Sequence, residues 1–355
     1  MDYFAYFGTF TNETSRGIYI SRLDAASGKL SAPELAAAIP SPNFLAVSPN
    51  GRILYAVTRG DASSGGVDVF ALDGRTGKLS LLDQNSSGGL GPCHVSVDAT
   101  GRTVLVANYG SGSVKSFRAD AEGLLADGTF VQHVGRSVNE KRQNGPHAHC
   151  FTPSPTGRFA LACDLGLDQV LVYQVNPTNA TLAASAPAFA SVPPGSGPRH
   201  LVFSPDGRTT YVVNEMACTV TVFAWDEKTG KLDLQQTVSI LPAGVEVTPS
   251  LTAAEIVIRP DGRFVYVTVR GHDSVSVLAV DPKSGQLTLA ENVPCGGRVP
   301  RGMDLDPTGR WLLVANQKSE NVTVFAVAAT TGRLTGTGQS LAIGSPVDVE
   351  FTPVR

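Results

Sequence analysis

Histidine, arginine and glutamate side chains with the chemistry of an active site occur in short segments spread along the chain. The segment PHAH holds His147 and His149, GPRH holds Arg199 and His200, and VVNE holds Glu215. Guanidinium groups bind carboxylate or phosphate by two-point contacts, and an imidazole or a carboxylate can move a proton. These residue types predict a site for a small anionic substrate and a proton-transfer reaction. Further cations that suit the same site are Arg270, Arg301 and Lys318.

These segments occupy matching places in a repeat of about fifty residues. Three of its copies read GPCHVSVDATGRTVLVANYGSGSV, GPRHLVFSPDGRTTYVVNEMACTVTVF and VPRGMDLDPTGRWLLVANQKSENVTVF. Alternating apolar runs separated by glycine-containing turns are typical of antiparallel strands, and four such strands form one propeller blade. The glycine of the first turn occurs in six complete copies, as Gly51, Gly101, Gly157, Gly207, Gly262 and Gly309.

The two ends of the chain supply a seventh repeat. The C-terminal SPVDVEFTPVR matches the first strand of a copy, and the N-terminal MDYFAYFGTFTNETSRGIYISRLDAASGKLS matches the other three strands. We therefore predict an all-β fold, a seven-bladed β-propeller whose seventh blade is closed by the N- and C-terminal strands. Residues 1–355 are expected to form a single domain.

The start of each innermost strand lies beside the loop between the second and third strands, at one mouth of the central channel. We align the copies on the turn glycine and insert one residue in TPSPTG. In this alignment, chemically different side chains occupy one equivalent position near the start of the innermost strand. A scaffold that only stacked its blades would repeat similar residues there, so the variation indicates a specialised mouth. The seven residues are Phe44, His94, His149, His200, Glu255, Gly302 and Asp348.

Some of these residues also have structural explanations. His94 fits equally well a hydrogen bond between blades or a place in the site. His147 and His149 are two apart on a strand and so face one side, where one can bind substrate and the other can buttress it. Arg199 and His200 are adjacent and are therefore expected to point to opposite sides.

Other polar residues leave similar alternatives. Glu215 is either the ion-pair partner of a nearby arginine or a base. Arg142 and Gln143, in the loop before PHAH, could reach over the mouth. His133 and His272 lie outside the equivalent positions and are expected on the surface.

Metal and cofactor chemistry are disfavoured. The imidazoles of His94, His149 and His200 could bind a metal ion, but Arg199 and Arg301 close by would disfavour a bound dication. The sequence contains no P-loop, dinucleotide fingerprint or Gly-x-Ser-x-Gly elbow. We therefore expect neither a metal ion nor an organic cofactor.

Composition restricts the partners and the compartment. A net charge of -3 without a basic run argues against nucleic acid as a partner, and no apolar run is long enough to span a membrane. The five cysteines include no CxxC pair, as a reducing compartment allows. These features predict a cytoplasmic protein, either a monomer or a weak homo-oligomer.

The chain resembles the seven-bladed propeller lactonases over essentially its whole length. The resemblance is carried by the repeat and by YFAYFGTFTNETSRGIYISRLD, RQNGPHAH, GPRHLVFSPDGR with VVNE, and PRGMDLDPTGRWLLVANQKS. That family includes the propeller type of 6-phosphogluconolactonase and the fungal 3-carboxy-cis,cis-muconate lactonizing enzyme. The resemblance implies cofactor-free hydrolysis of an anionic sugar lactone, 6-phospho-D-glucono-1,5-lactone, in the pentose phosphate pathway. A lactone-forming cycloisomerase and a protein-binding propeller without catalysis are the alternatives.

The resemblance implies a site at His149, Arg199, Glu215 and Arg270, and the chemistry of these residues leads to a hypothesis for their roles. In this hypothesis Glu215 or His149 activates water for attack on the lactone carbonyl, and Arg199 with His200 stabilises the oxyanion. The phosphate would be bound by Arg270, Arg301 and Lys318. The catalytic set is then His149, Arg199, Glu215 and Arg270, and the substrate-binding set is His94, His147, His200, Arg301, Gln317 and Lys318.

Overall fold

A computed structural model describes residues 1–59 and 65–355 of the chain. The regular elements of these residues are 29 β-strands, which form seven antiparallel sheets. Each sheet is one blade, so the prediction of a seven-bladed β-propeller is confirmed. No helix of the described residues could cross a bilayer.

The first sixteen strands build the outer part of the closing blade, called blade 7, and then blades 1 to 3. Blade 7 begins with β1 (Tyr3–Thr9), β2 (Gly17–Asp24), β3 (Lys29–Leu30) and β4 (Glu34–Ala38). Blade 1 contains β5 (Pro42–Val47), β6 (Ile53–Arg59), β7 (Gly65–Leu72) and β8 (Leu79–Ser86). Blade 2 contains β9 (Pro92–Val97), β10 (Thr103–Asn108), β11 (Ser113–Ala119) and β12 (Leu125–Gln132). Blade 3 contains β13 (Ala148–Pro153), β14 (Phe159–Asp164), β15 (Gln169–Val175) and β16 (Leu182–Ser191).

The remaining strands build blades 4 to 6 and return to blade 7. Blade 4 contains β17 (Pro198–Phe203), β18 (Thr209–Asn214), β19 (Thr219–Asp226) and β20 (Lys231–Ser239). Blade 5 contains β21 (Thr252–Ile258), β22 (Phe264–Arg270), β23 (Ser274–Val280) and β24 (Leu287–Pro294). Blade 6 contains β25 (Pro300–Leu305), β26 (Trp311–Asn316), β27 (Asn321–Val327) and β28 (Leu334–Ala342). The last strand, β29 (Pro346–Pro353), is the innermost strand of blade 7.

Blade 7 is closed by the two ends of the chain, as predicted. Strand β29 pairs antiparallel with β1, from Tyr3 opposite Pro353 to Gly8 opposite Asp348. The outer edge differs from that of the other blades because two short strands, β3 and β4, both pair with β2. Pro33 lies between these two strands, and a proline has no N–H to donate to the ladder.

The innermost strands form a closed ring around the channel. Each contacts the innermost strands of both neighbouring blades, in the order β5, β9, β13, β17, β21, β25, β29 and back to β5. Apolar side chains fill the spaces between blades; Tyr55 and Val57 of blade 1, for example, share a core with Val106 and Phe117 of blade 2. The ring therefore buries the sheet faces that one blade alone would expose.

The turn between the first and second strands of a blade requires glycine. The six turn glycines of blades 1 to 6 have φ angles between 61° and 72°. Glycine adopts this left-handed conformation without the steric cost that a Cβ atom brings. The glycine spacing is therefore a direct sign of the repeated hairpin.

A β-bulge interrupts the innermost strand of every blade near the channel mouth. In blade 4, Pro198 pairs with Asn214 and His200 pairs with Val213, so Arg199 has no partner in the ladder. The other six blades show a register shift at the same place. A bulge adds one residue to one strand and re-aims its side chains. The residues at the bulges are Asn43, Cys93, His149, Arg199, Ala254 with Glu255, Arg301 and Val347.

The bulges correct two expectations from the sequence. The alignment with an inserted residue was wrong, because the strand register makes His149 equivalent to Arg199 and Cys150 equivalent to His200. The expectation that Arg199 and His200 point apart was also wrong. Arg199 Nη1 lies 3.3 Å from His200 Nδ1, since the bulge breaks the strict alternation of the strand.

Candidate active site

A cavity of about 420 Å³ opens at the mouth of the channel. Its walls come from six blades and from the loop that precedes β13, and five of the predicted site residues belong to it. A larger groove of about 850 Å³ runs beside Tyr55 and Arg118, between blades 1 and 2, and contains none of them. The residues that line the mouth cavity are Phe10, Tyr109, Arg142, His149, Glu215, Thr252, Arg270, Arg301 and Gln317.

Glu215 is the electrostatic centre of this cavity. It follows β18, is buried, and its carboxylate lies 2.6 Å from Arg142 Nη2. The other oxygen lies 3.0 Å from Arg270 Nη2 and 3.4 Å from Arg199 Nε. Burial by itself would raise the pKa of Glu215, but the charges of Arg270, Arg199 and Arg142 outweigh it and lower the pKa from 4.5 to about 2. Glu215 is therefore an ionised carboxylate at neutral pH.

The same charges make Glu215 a weak base. A general base works best when its pKa lies near the working pH, and three guanidinium groups hold Glu215 far below that range. The other candidate for water activation, His149, also has a lowered pKa, but it is a neutral imidazole that lines the cavity and, in the part of the chain that the structure describes, pairs with no guanidinium group. Glu215 instead accepts a charge-assisted hydrogen bond from Arg142 and forms ion pairs with Arg270 and Arg199.

Two histidines and a second glutamate form a hydrogen-bonded chain at the inner end of the cavity. His149 Nδ1 lies 3.2 Å from His200 Nε2, and His200 Nδ1 lies 2.7 Å from Glu255 Oε1. All three side chains are buried. Burial and then the charge of Arg199 lower the pKa of both histidines well below 6.5, so both imidazoles are neutral at neutral pH.

Arg199 lies outside the cavity wall and links Glu215, which lines the cavity, to Glu255, which does not. Its Nε is 3.4 Å from Glu215 and its Nη1 is 3.8 Å from Glu255. Nη1 also donates to the carbonyl of Ala254 at 2.5 Å. Burial lowers the pKa of Arg199, yet the paired carboxylates keep a guanidinium of this kind charged. Arg199 acts on the cavity mainly through its charge, because it does not belong to the cavity wall.

Arg301 presents a positive charge to the cavity. Its guanidinium carbon lies 5.4 Å from the centre of the Phe10 ring. Burial, together with the nearby charges of Arg199 and Arg270, lowers the pKa of Arg301 to about 9, so the group is still protonated at neutral pH. Within residues 1–59 and 65–355, no carboxylate forms an ion pair with Arg301. A bound anion would supply the missing negative charge.

His147 supports the cavity from outside it. Its ring stacks on that of Tyr109 at 4.6 Å between centroids, and its Nδ1 lies 2.9 Å from the Tyr109 carbonyl oxygen. Tyr109 in turn lines the cavity. Of the two histidines in PHAH, the geometry therefore makes His149 the cavity residue and His147 the buttress.

His94 and Lys318 lie outside the cavity wall. His94 Nδ1 accepts a hydrogen bond from the Phe151 N–H of the next blade at 3.3 Å, and its ring packs against Phe44. This geometry corresponds to the first explanation given for His94, a hydrogen bond between neighbouring blades. Lys318 is exposed, and its backbone N–H donates to the Arg298 carbonyl. Gln317, one residue earlier, does line the cavity.

Sequence reasoning missed three wall residues, Phe10, Tyr109 and Thr252. Phe10 follows Thr9, whose pairing with Pro346 matches the pairing of Asn108 with Pro92. Phe10 is therefore the blade 7 counterpart of Tyr109. This correspondence is visible in the sequence once the closing blade is aligned with the others, whereas Thr252 carries no comparable signal.

The loop before β13 contributes one cavity residue and one anchor. Arg142 reaches the cavity and binds Glu215, as stated above, and its side chain remains 39% exposed. Gln143 is fully buried and donates to the Leu165 carbonyl at 2.8 Å. The expectation that both residues reach over the mouth is therefore right for Arg142 and wrong for Gln143.

His133 was expected on the surface, and the structure shows it buried. Its Nδ1 lies 2.6 Å from Asp164 Oδ2, and its Nε2 lies 2.9 Å from the Tyr173 hydroxyl. Asp164 also accepts the N–H groups of His147 and Gly166. This network holds the end of β14 next to the start of β13 and so supports the position of His149.

A ring of seven antiparallel blades with one arginine- and histidine-lined cavity at its mouth defines a propeller of the small-ligand enzyme class. Residues 4–351 match the family model described as lactonase, 7-bladed beta-propeller. The chain therefore belongs to the seven-bladed β-propeller lactonase family.

Named relatives of high coverage agree with this family. A Bacillus subtilis 6-phosphogluconolactonase is 36% identical over 98% of both chains. A Formosa agariphila protein of the same name is 30% identical over 97% of this chain and 98% of its own. The solved structure of a periplasmic gluconolactonase from Pseudomonas aeruginosa is 37% identical, with a TM-score of 0.92 over the whole of both chains.

Proposed function

We propose that this protein hydrolyses 6-phospho-D-glucono-1,5-lactone to 6-phosphogluconate, the lactone-opening step of the pentose phosphate pathway. The observation that carries the proposal is a cavity that is lined both by Arg270 and Arg301 and by the neutral imidazole of His149. The names of the Bacillus and Formosa relatives support the same reaction.

His149 is the proposed general base. Water attacks the lactone carbonyl carbon, and His149 Nε2 takes the proton that the water releases. The bond between the carbonyl carbon and the ring oxygen then breaks, and the proton passes from His149 to that oxygen. A neutral imidazole that lines the cavity can perform both transfers, and the cations around it stabilise the negative charge on the carbonyl oxygen.

Arg301 is the proposed main contact for the substrate phosphate, with Arg270 and the rim residue Lys318 as further contacts. Arg270 is shared with Glu215 and donates to the Ala253 carbonyl at 2.9 Å. Arg301 is bound to no described carboxylate, as its geometry above indicates, so a phosphate gains most from it. The catalytic roles of Arg199 and His200 in oxyanion stabilisation stay predictions.

A second candidate is the hydrolysis of the same lactone without its phosphate. The Pseudomonas relative is called a gluconolactonase and is 37% identical to this chain. Its name also includes the word periplasmic, so the cytoplasmic location predicted from the sequence needs its own test. We propose the cytoplasm because the phosphorylated substrate is an intracellular metabolite, and we propose that no cofactor takes part.

A timed assay decides between these substrates. The lactones hydrolyse without a catalyst, so the assay uses freshly generated 6-phosphogluconolactone and subtracts the spontaneous rate measured without protein. The proposed function predicts a clear excess rate with the phosphorylated lactone and a lower kcat/KM with glucono-1,5-lactone. An excess rate with the unphosphorylated lactone alone would select the second candidate, and no excess with either would overturn both.

A further inference from the structure

Three buried side chains from successive blades lie end to end behind the cavity. Glu255 belongs to β21, His200 to β17 and His149 to β13. The contacts are 2.7 Å between Glu255 Oε1 and His200 Nδ1, and 3.2 Å between His200 Nε2 and His149 Nδ1. His149 is the one member that lines the cavity, so the chain runs from a buried carboxyl to the substrate site.

The bonding rules of imidazole fix the proton positions along this chain. A neutral imidazole donates from one ring nitrogen and accepts at the other. When Glu255 is ionised, His200 Nδ1–H donates to it, and His200 Nε2 accepts the Nδ1–H of His149. His149 Nε2 is then the unprotonated nitrogen, and it is the one left for the cavity. When Glu255 is protonated and donates to His200, every bond in the chain reverses and His149 loses its free Nε2.

Arg199 is the weaker partner for His200 Nδ1. One N–H of its Nη1 donates to the Ala254 carbonyl at 2.5 Å, and the same nitrogen lies 3.3 Å from His200 Nδ1. Glu255 Oε1 is closer to His200 Nδ1, at 2.7 Å, and is an acceptor when ionised. The ionised glutamate is thus the partner that orients His200.

We propose that Glu255 and His200 are positioning residues that hold His149 with a free Nε2 and carry away the proton that His149 accepts from the attacking water. This proposal depends on the proposed lactonase function in one respect, because that reaction supplies the proton that His149 accepts. As the water O–H bond breaks, its proton goes to His149 Nε2, the Nδ1 proton of His149 goes to His200, and the Nδ1 proton of His200 goes to Glu255. The same transfers run backwards when the ring oxygen leaves.

Electrostatics favour a proton on Glu255 over a proton on either histidine. An imidazolium in the chain would stand in a buried place beside Arg199, and this lowers the pKa of both histidines well below 6.5. Burial raises the pKa of Glu255 from 4.5 to about 7, even though Arg199 opposes the rise. The charged and titratable groups that act on Glu255 from other strands are Arg199 and His200 of β17, His94 of β9, Arg301 and Asp304 of β25, and Asp348 of β29.

Histidine nitrogen NMR tests the proton positions without any substrate. The chain contains six histidines, so the signals of ¹⁵N-histidine-labelled protein can be assigned by single substitutions. We expect His149 to carry its proton on Nδ1 at pH 8 and on Nε2 once the pH falls below about 7. Glu255→Gln should abolish this change, because the amide does not titrate. A proton on Nε2 of His149 at pH 8, or an unchanged titration in Glu255→Gln, would overturn the proposal.

A pH profile of lactone hydrolysis gives a second readout that a merely structural role would not move. Wild type should lose kcat/KM as the pH falls through about 7, and Glu255→Gln should remove this acid limb while lowering kcat about tenfold, a part of the ~10²-fold that a positioned base supplies. Glu350→Gln is the matched control. The pKa of Glu350 is also raised to about 7, but its carboxylate accepts the Val47 N–H and, among the described residues, is hydrogen-bonded to no histidine.

The outcomes separate the two proposals. If wild type shows no excess lactone hydrolysis, the proposed function fails, and the NMR titration still decides whether the chain sets the state of His149. If wild type is active but Glu255→Gln keeps the acid limb, the relay is wrong and the function stands. An acid limb lost in Glu350→Gln as well would also overturn the relay, because the limb would then not depend on contact with His200.

Discussion

Two parts of the channel carry carboxyl groups whose pKa values are shifted in opposite directions. At the arginine-rich mouth, Glu215 has a pKa lowered to about 2, even though it is buried. On the innermost strands of blades 6 and 7, Asp304, Asp348 and Glu350 form an acidic cluster, and burial raises the pKa of each of them. Burial acts in the same direction at both places, so the difference comes from the neighbouring charges.

The contrast shows what the arginines contribute. Three guanidinium groups lie within 4 Å of Glu215, whereas the second-largest cause of the raised pKa of Asp304 and of Asp348 is the charge of Glu350. Glu255 lies between the two parts, close to Arg199 on one side and subject to the acidic cluster on the other. Burial raises the pKa of Glu255 to about 7 against the opposing charge of Arg199, and this value suits a group that exchanges protons at neutral pH.

Removal of the Glu215 carboxylate from the mouth should have the largest effect on the stability of the protein. Glu215→Gln leaves Arg199 and Arg270 without their shared anion, and loss of one partner from a buried ion pair costs about 3–5 kcal/mol. We expect the free energy of unfolding, measured by urea denaturation at pH 7, to fall by this amount. The control Asp2→Asn breaks the exposed pair with Arg22 and should cost less than about 1 kcal/mol.

The difference in unfolding free energy between wild type and Glu215→Gln should depend on pH in a defined direction. Because the folded-state pKa of Glu215 is depressed, its contribution is present above the unfolded pKa and is lost as the pH falls toward about 2. The gap between wild type and Glu215→Gln should therefore shrink below pH about 4.5. A gap that grows in acid would contradict the assignment.

The proposed base, His149, should be needed for catalysis and not for folding. His149→Asn removes the imidazole from the cavity, so we expect kcat to fall about 10²-fold or more while binding of substrate is largely kept. His272→Asn is the control, because its ring contacts Ser274 away from the cavity. Equal kcat values for wild type and His149→Asn would exclude His149 as the base.

A single arginine should set the preference for the phosphate. Arg301→Leu should raise KM for the phosphorylated lactone by about 10- to 100-fold, as expected for the loss of a charged hydrogen bond of ~1.5–3 kcal/mol. It should change KM for glucono-1,5-lactone far less. Arg298→Leu, an exposed site outside the cavity wall, is the matched control. A similar KM increase for both lactones would assign Arg301 a role other than phosphate binding.

Removal of a charge from the acidic cluster should stabilise the protein slightly. The folded-state pKa of Asp304 is raised, first by burial and then by the charge of Glu350, so its ionised form opposes folding as the pH rises. Asp304→Asn should therefore raise the free energy of unfolding by about 1 kcal/mol at pH 8 and change it little at pH 4. The exposed Asp233→Asn should stay within about 0.5 kcal/mol at both values, and a destabilised Asp304→Asn at pH 8 would show that the cluster is not repulsive.

The fold was largely predictable because its signals are local and repeated. The turn glycines at Gly51 and Gly101 and the matching ends of the chain gave the blade number and the closure. The repeat also placed His149, Glu215 and Arg270 near one mouth, and the cavity contains all three, although the inserted residue shifted His149 by one position.

The rest depended on contacts that no local pattern encodes. A β-bulge is a property of the ladder between two strands, so the turn of Arg199 toward His200 could not follow from the alternation of one strand. The choice between Glu215 and His149 as the base depended on how many guanidinium groups lie within bonding distance, and this needs the folded geometry. The burial of His133 against Asp164 joins two blades and has no sequence period.

The protonation states of Glu215 and Glu350 test the central claim most directly. Side-chain ¹³C NMR of glutamate-labelled protein, assigned with Glu215→Gln and Glu350→Gln, can follow both carboxyl groups in one titration. At pH 5 the account predicts an ionised Glu215 and a protonated Glu350, since their pKa values are about 2 and about 7. If both groups instead titrate together near the ordinary value of 4.5, the arginine mouth and the acidic cluster do not differ as described.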